Sequence, residues 1–199
     1  MPPSGWEEGG TDSAASPPGV TRRASIFALY LLLVSSAVVF LALVAAFLMR
    51  RSGAADWVTI PKPRILWANT VLLLASSVFV EVARRYLKLR DRVAFNRWWT
   101  AATALGVLFL AGQGLAWQQL RAAGLFIASS PSAAFFYVLT GTHAAHVVGA
   151  VAALVYVDVQ AVRFRLGPAK RTGIDVSAVF WHFLDVMWLC LMGLFYLLE

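Results

Sequence analysis

"AAFFYVLTGTHAAHVVGAVAALVYV", Ala133 to Val157, runs for 25 residues without an Asp, Glu, Lys or Arg and carries two histidines, His143 and His146, near its middle. A helix crosses the hydrocarbon core of a bilayer with about 20 apolar residues, so this stretch is long enough to span one. The rest of the chain repeats the pattern. Of its 199 residues 60% are hydrophobic, against about 45–50% in soluble domains, and mean hydropathy is +0.71.

Four further runs have the same character, giving five expected spans: Ser25–Met49, Ile65–Leu87, Trp98–Gln119, Ala133–Val157 and Val176–Leu198. The fold class this implies is all-α, an integral membrane bundle of five transmembrane helices with a disordered N-terminal tail. The tail, residues 1–23, is rich in Pro, Gly, Ser and acid, a composition that cannot bury enough apolar surface to fold. It has no basic start and does not read as a secretory leader. Residues 24–199 form the membrane domain. Its connections read as short, which predicts that successive helices are antiparallel neighbours.

The net charge of +7 sits in the connections between apolar blocks, where it reads as topology signal and headgroup contact rather than as a nucleic-acid surface. With the tail and the second and fourth connections on one side, that side carries 12 Lys and Arg and the other 5. The positive-inside rule then places the N-terminus in the cytoplasm and Glu199 outside. The run Arg84, Arg85, Lys88, Arg90 and Arg92 at the inner end of the second span suits anionic phospholipid headgroups. Trp57, Trp67, Trp98, Trp99 and Trp117 lie near span boundaries and fit an aromatic belt. The single cysteine, Cys190, excludes an internal disulfide and a multi-Cys metal site.

Ionisable residues within spans are expensive and by default face protein or a water-filled cavity. His143 and His146 are i, i+3 and share a helix face. Three readings stand: interhelical hydrogen bonding, haem or metal ligation, and a proton relay. The only histidine on another span, His182, lies roughly two turns from the cytoplasmic end. The central pair is at a different depth, which argues against ligation and favours hydrogen bonding. In "FWHFLDVMW" His182 and Asp185 are again i, i+3, readable as a satisfied pair or a proton-handling one. Glu81, followed by Arg84 and Arg85, reads as an interfacial ion pair. Gln113 lies within the third span.

Four segments resemble one family. "GTHAAHVVG" resembles the G-x-H-x-x-H-V pattern of subunit III of haem–copper terminal oxidases, and "FWHFLDVMWL" resembles its closing W-H-F-x-D-x-x-W signature. "LWANTVLLLASSV" (Leu66–Val78) is similar to its L-x-N-T-x-x-L-x-x-S-S segment, and "LGVLFLAGQ" (Leu105–Gln113) to its L-G-x-x-F-x-x-x-Q segment. The matches fall in family order in four consecutive spans. The resemblance covers Ser25 to Glu199 and fits the five-span form. It implies an accessory subunit in a bacterial cytoplasmic membrane that binds no cofactor of its own, with haem and copper in partner subunits. Subunit I, with subunit II, and phospholipid held in a cleft are the implied partners, and support of stability and proton uptake the implied role. In one respect the chain departs from the family: many members carry a glutamate in the span corresponding to Ser25–Met49, where this chain has Ala37 and no acid. A haem-binding anchor, an assembly protein that touches the oxidase transiently, and a nitric-oxide-reductase-associated member of the same family are the alternative readings.

Overall fold

The computed structural model describes residues 18–53, 57, 59–163 and 171–197. Among the described residues five helices follow in order: α1 (Pro18–Ser52), α2 (Ile65–Lys88), α3 (Arg92–Ala122), α4 (Pro131–Val162) and α5 (Arg171–Leu197). Each is long and apolar enough to cross a membrane. Every expected span lies within one of them, apart from Leu198, which with Glu199 is outside the described residues, as are Arg165 and Lys170. Of the expected tail, residues 1–17 are also outside, and α1 already begins at Pro18.

The helix ends are set by local chemistry. After α2 the amide of Asp91 bonds the carbonyl of Tyr86 at 3.1 Å and that of Arg90 bonds Leu87 at 3.2 Å, with Arg90 at φ 62. This is a Schellman closure with arginine in the left-handed position usually given to glycine. Asp91 then caps α3, its side chain accepting from the amide of Ala94 at 3.0 Å, so one residue both ends a turn and starts a helix. The turn after α3 uses Gly124 at φ 77 for the same closure. Ser130 caps α4, with Pro131 in its first turn.

Helices α2, α3, α4 and α5 form a closed ring, each packed on the next and α5 returning to α2. Helix α1 lies outside the ring, along α5 and α4 rather than along α2. This corrects the expectation that all successive helices are neighbours. The α1–α2 connection, residues 53–64, is longer than the others, and at roughly 3.3 Å per extended residue it reaches past several helix diameters. It is anchored on the way, with Ile60 buried and Trp57 edge-on to Phe47 at 5.2 Å.

Over residues 23–52, α1 buries a narrow stripe, Leu29, Ser36, Phe40 and Phe47, at seven- and four-residue spacing. Phe27, Leu31, Val34, Val38, Leu41 and Met49 face outward, as suits a helix bathed in lipid. Between α1, α4 and α5 lies a cavity of about 650 Å³ lined largely by apolar side chains, with His146 on its wall.

Candidate functional site

His143 is fully buried and enclosed by aromatic rings from three other helices. Trp188 lies tilted over it at 5.2 Å, Phe109 edge-on at 5.9 Å and Phe40 edge-on at 6.3 Å. Neither ring nitrogen has a hydrogen-bond partner. His146, one turn further along the same face, donates from Nδ1 to the carbonyl of Thr142 at 2.8 Å and faces Phe40 at 5.5 Å. The expected interhelical hydrogen bonds are therefore not made by either imidazole. His143 joins helices by ring packing, and His146 bonds its own helix, because the i−4 carbonyl is the nearest acceptor to a ring looking toward an apolar cavity.

Around His143 the helices are tied by other groups. The indole of Trp188 donates to Thr70 Oγ1 at 2.9 Å, joining α5 to α2, and Thr70 in turn donates to the carbonyl of Leu66. Asn69, buried beside it, packs against Gly112 so closely that a β-carbon there would collide with its Oδ1. Gln113 is also buried, with both amide atoms unpartnered. Trp117 donates to Thr140 Oγ1 at 3.1 Å and Trp99 to the carbonyl of Leu154 at 3.1 Å, both joining α3 to α4. Trp99, expected in the aromatic belt, is a core residue.

His182 faces elsewhere, toward α2. Its Nδ1 meets the hydroxyl of Ser77 at 2.5 Å and lies 3.6 Å from Asp185 Oδ2. Trp188, the level of His143, is six residues beyond His182 on α5, which is about 9 Å along the axis. His182 thus points away from the His143 and His146 pair, which share Phe40 as a neighbour. Among the described residues, no group of three or more His, Cys, Asp or Glu is placed to hold a metal ion.

Nearer the first turns of α5, Arg84 reaches Glu81 Oε2 at 2.8 Å on its own helix and Asp175 Oδ1 at 2.9 Å on α5. Arg84 is thus half-buried and held between two carboxylates, which corrects its place among the headgroup cations. Arg85, Lys88, Arg90 and Arg92 are exposed at the same end.

The four segments singled out in the sequence therefore interlock: Asn69 on Gly112, Thr70 with Trp188, Ser77 with His182, and Phe109 with His143. In a comparison with known families, residues 19–199 match cytochrome c oxidase subunit III. The chain belongs to that family. Among its curated relatives is cytochrome c oxidase subunit 3 of Synechocystis, 30% identical over 180 residues that cover 87% of this chain and 75% of the relative. A probable cytochrome c oxidase subunit 3 of Nocardia farcinica is 31% identical over 130 residues, covering 65% of this chain and 64% of the relative. That of Mycobacterium bovis is 28% identical, covering 83% and 84%.

In this subunit III chain, two ties could not be read from the sequence. Asp175 was invisible as the partner of Arg84, because 91 residues separate them. Asp158 was equally so as the acceptor for Thr100 at 2.8 Å across α3 and α4. The one available signal was position: an acid in the last turns of one span and a hydroxyl in the first turns of its antiparallel neighbour share a depth.

Proposed function

We propose that this chain is the accessory subunit III of an aerobic haem–copper oxidase in a bacterial cytoplasmic membrane, beside subunits I and II, with its N-terminus cytoplasmic. The carrying observation is the continuous family match over residues 19–199, together with the interlocking of the family's polar residues in one core. The chain contributes no haem or copper ligand, and those groups reside in its partners. His182 turned to α2, and His143 and His146 both on α4 against Phe40, support that reading, since a bis-histidine haem needs two imidazoles facing one another from different helices. Phospholipid occupies the apolar cavity of about 650 Å³ beside α1, and separate anionic headgroups meet the exposed Arg85, Lys88, Arg90 and Arg92. His182 and Asp185 form a polar pair whose first role is to join α5 to α2 through Ser77.

The test is purification of the tagged chain in mild detergent. Co-purification of a haem-bearing subunit I, with a haem spectrum that disappears when the chain is isolated from it, is the expected result. A stoichiometric haem spectrum from the chain alone would overturn the proposal in favour of a haem-binding anchor.

A further inference from the structure

Helix α5 is covered on most sides and open along one stripe. Asp175, Val179, His182, Val186 and Leu189 follow one another at three- and four-residue spacing and so share a face. The three apolar members are exposed, and the side chains of Asp175 and His182 are 61% and 37% exposed. On one side α2 borders the stripe, through Arg84 with Asp175 and Ser77 with His182. On the other side stands α1, whose Ile26, Tyr30 and Leu33 enclose a cavity of about 530 Å³ with Asp175 and Val179. Because α1 lies along α5 and α4 rather than along α2, the stripe is the floor of an open groove between α1 and α2.

The groove is charged at one end, where Arg171 and Asp175 line it in the first turns of α5. His182 lies seven residues beyond Asp175, about 10 Å further along the axis and within the apolar span. The exposed residues around it, Val179, Val186 and Leu74, are apolar. Ionisable side chains inside a membrane face protein or a water-filled cavity, and acyl chains supply no hydrogen bonds. The outward residues of α1, such as Leu31, Val34 and Val38, show what a lipid-bathed face of this chain looks like, and a half-exposed imidazole breaks that pattern. Water would need polar walls, which the groove lacks at this depth. A second copy meeting the first across a two-fold axis would set one concave groove against another. The occupant that fits in both shape and chemistry is a single apolar helix with one polar side chain at the level of His182, since polar pairs commonly join helices in membranes.

We infer that the groove between α1 and α2, floored by α5, seats a transmembrane helix of a partner subunit that carries a hydrogen-bonding side chain opposite His182. Nδ1 of His182 is engaged by Ser77, which leaves Nε2 for the incoming group. The docking face rests on the reading of the chain as one subunit of a membrane complex, and it adds where on the chain a neighbour sits.

The test is photo-cross-linking of the intact complex in its membrane. The photoreactive residue p-benzoylphenylalanine is placed in turn at Val179 and Val186 in the groove, and at Leu31 and Val38 on the outer face of α1, and mass spectrometry identifies the adducts. The groove positions are expected to capture a transmembrane segment of another chain, with a polar side chain within one turn of the attachment point. Leu31 and Val38 are expected to give lipid adducts. Lipid adducts alone at Val179 and Val186 overturn the inference. So do capture of a second copy of this chain, of a wholly apolar segment or of a segment outside the membrane, and equal capture of protein from Leu31 and Val38. In His182→Leu the protein adduct from Val186 is expected to fall, and in His182→Gln to persist; an undiminished adduct in His182→Leu removes the imidazole from the contact and overturns the inference as well. Where those variants do not assemble, the cross-links made with His182 in place decide. Haem in the purified complex is read separately: a helix captured in the groove of a complex without haem would refute the oxidase reading and leave the docking face standing.

Discussion

Trp188 and Thr70 join the two helices that close the ring, the indole N–H of one donating to the hydroxyl of the other at 2.9 Å with both residues buried. The same indole covers His143 at 5.2 Å, so one side chain sets both the α2–α5 distance and the packing of the buried imidazole. Thr70→Val keeps the shape and removes the acceptor, leaving a buried donor without a partner. The expected loss is ~1–2 kcal/mol, the upper range for interhelical hydrogen bonds in membranes. A double-mutant cycle with Trp188→Phe, read by thermal denaturation of the purified complex, checks it. No coupling between the two positions would mean that the bond contributes nothing.

Gly112 is required where Asn69 lies. A β-carbon at 112 meets the Asn69 side chain, so Gly112→Ala is expected to destabilise by about 1–3 kcal/mol, the usual cost of overpacking. Adding Asn69→Ala should recover part of that loss. Gly114, two residues on, has open space around it, and Gly114→Ala is expected to be neutral or slightly stabilising, since alanine is the better helix former. Equal effects at 112 and 114 would show that the contact with Asn69 does not limit helix approach.

His143 is expected to matter for assembly and not for redox content. Replacement by Leu removes a ring packed against Phe40, Phe109 and Trp188 and should lower the yield of assembled complex. His146→Leu, at the edge of the cavity, should cost less. Immunoblotting of membranes gives the yield, and the absorption spectrum of the purified remainder gives haem per complex. A complex that assembles normally but has lost haem would contradict the assignment.

For Asp185 the expected outcome is a structural one. Its carboxylate lies 3.6 Å from His182 Nδ1, which itself meets Ser77, and neither carboxylate oxygen makes a hydrogen bond, so Asp185→Asn keeps the shape and breaks no bond. Oxygen consumption at matched subunit content should then follow the wild-type dependence on pH across the neutral to alkaline range. A decline confined to high pH, where protons are scarce, would instead give His182 and Asp185 a part in proton supply.

The exposed cations behind α2 are expected to bind lipid, with Arg84 excluded. Changing Arg85, Lys88 and Arg92 together to Gln should lower the anionic phospholipid retained by the complex, measured by mass spectrometry of the extract. Arg84→Gln should leave lipid retention unchanged and loosen α2 from α5, because its guanidinium is occupied by Glu81 and Asp175. Full lipid retention in the triple variant would leave the run as a topology signal alone.

Span positions, the membrane setting and the family were all legible from residues in order, because each depends on local properties: twenty or so apolar residues suffice for a span wherever they occur. The depth difference between His182 and the histidine pair was legible too, since a helix converts residue number into height at a constant rise. The partners of the polar residues were not. Which face His143 presents, and to what, depends on the rotation and register of four helices at once, and this placed aromatic rings where hydrogen bonds were expected. The ion pair of Arg84 with Asp175 and the burial of Trp99 depend on the same long-range registration. The seat of α1 was decided last, because a helix apolar on nearly every side carries little local information about which neighbour it will choose. Only the narrow stripe of Leu29, Ser36, Phe40 and Phe47, fitted to the groove that α4 and α5 form together, selects its place.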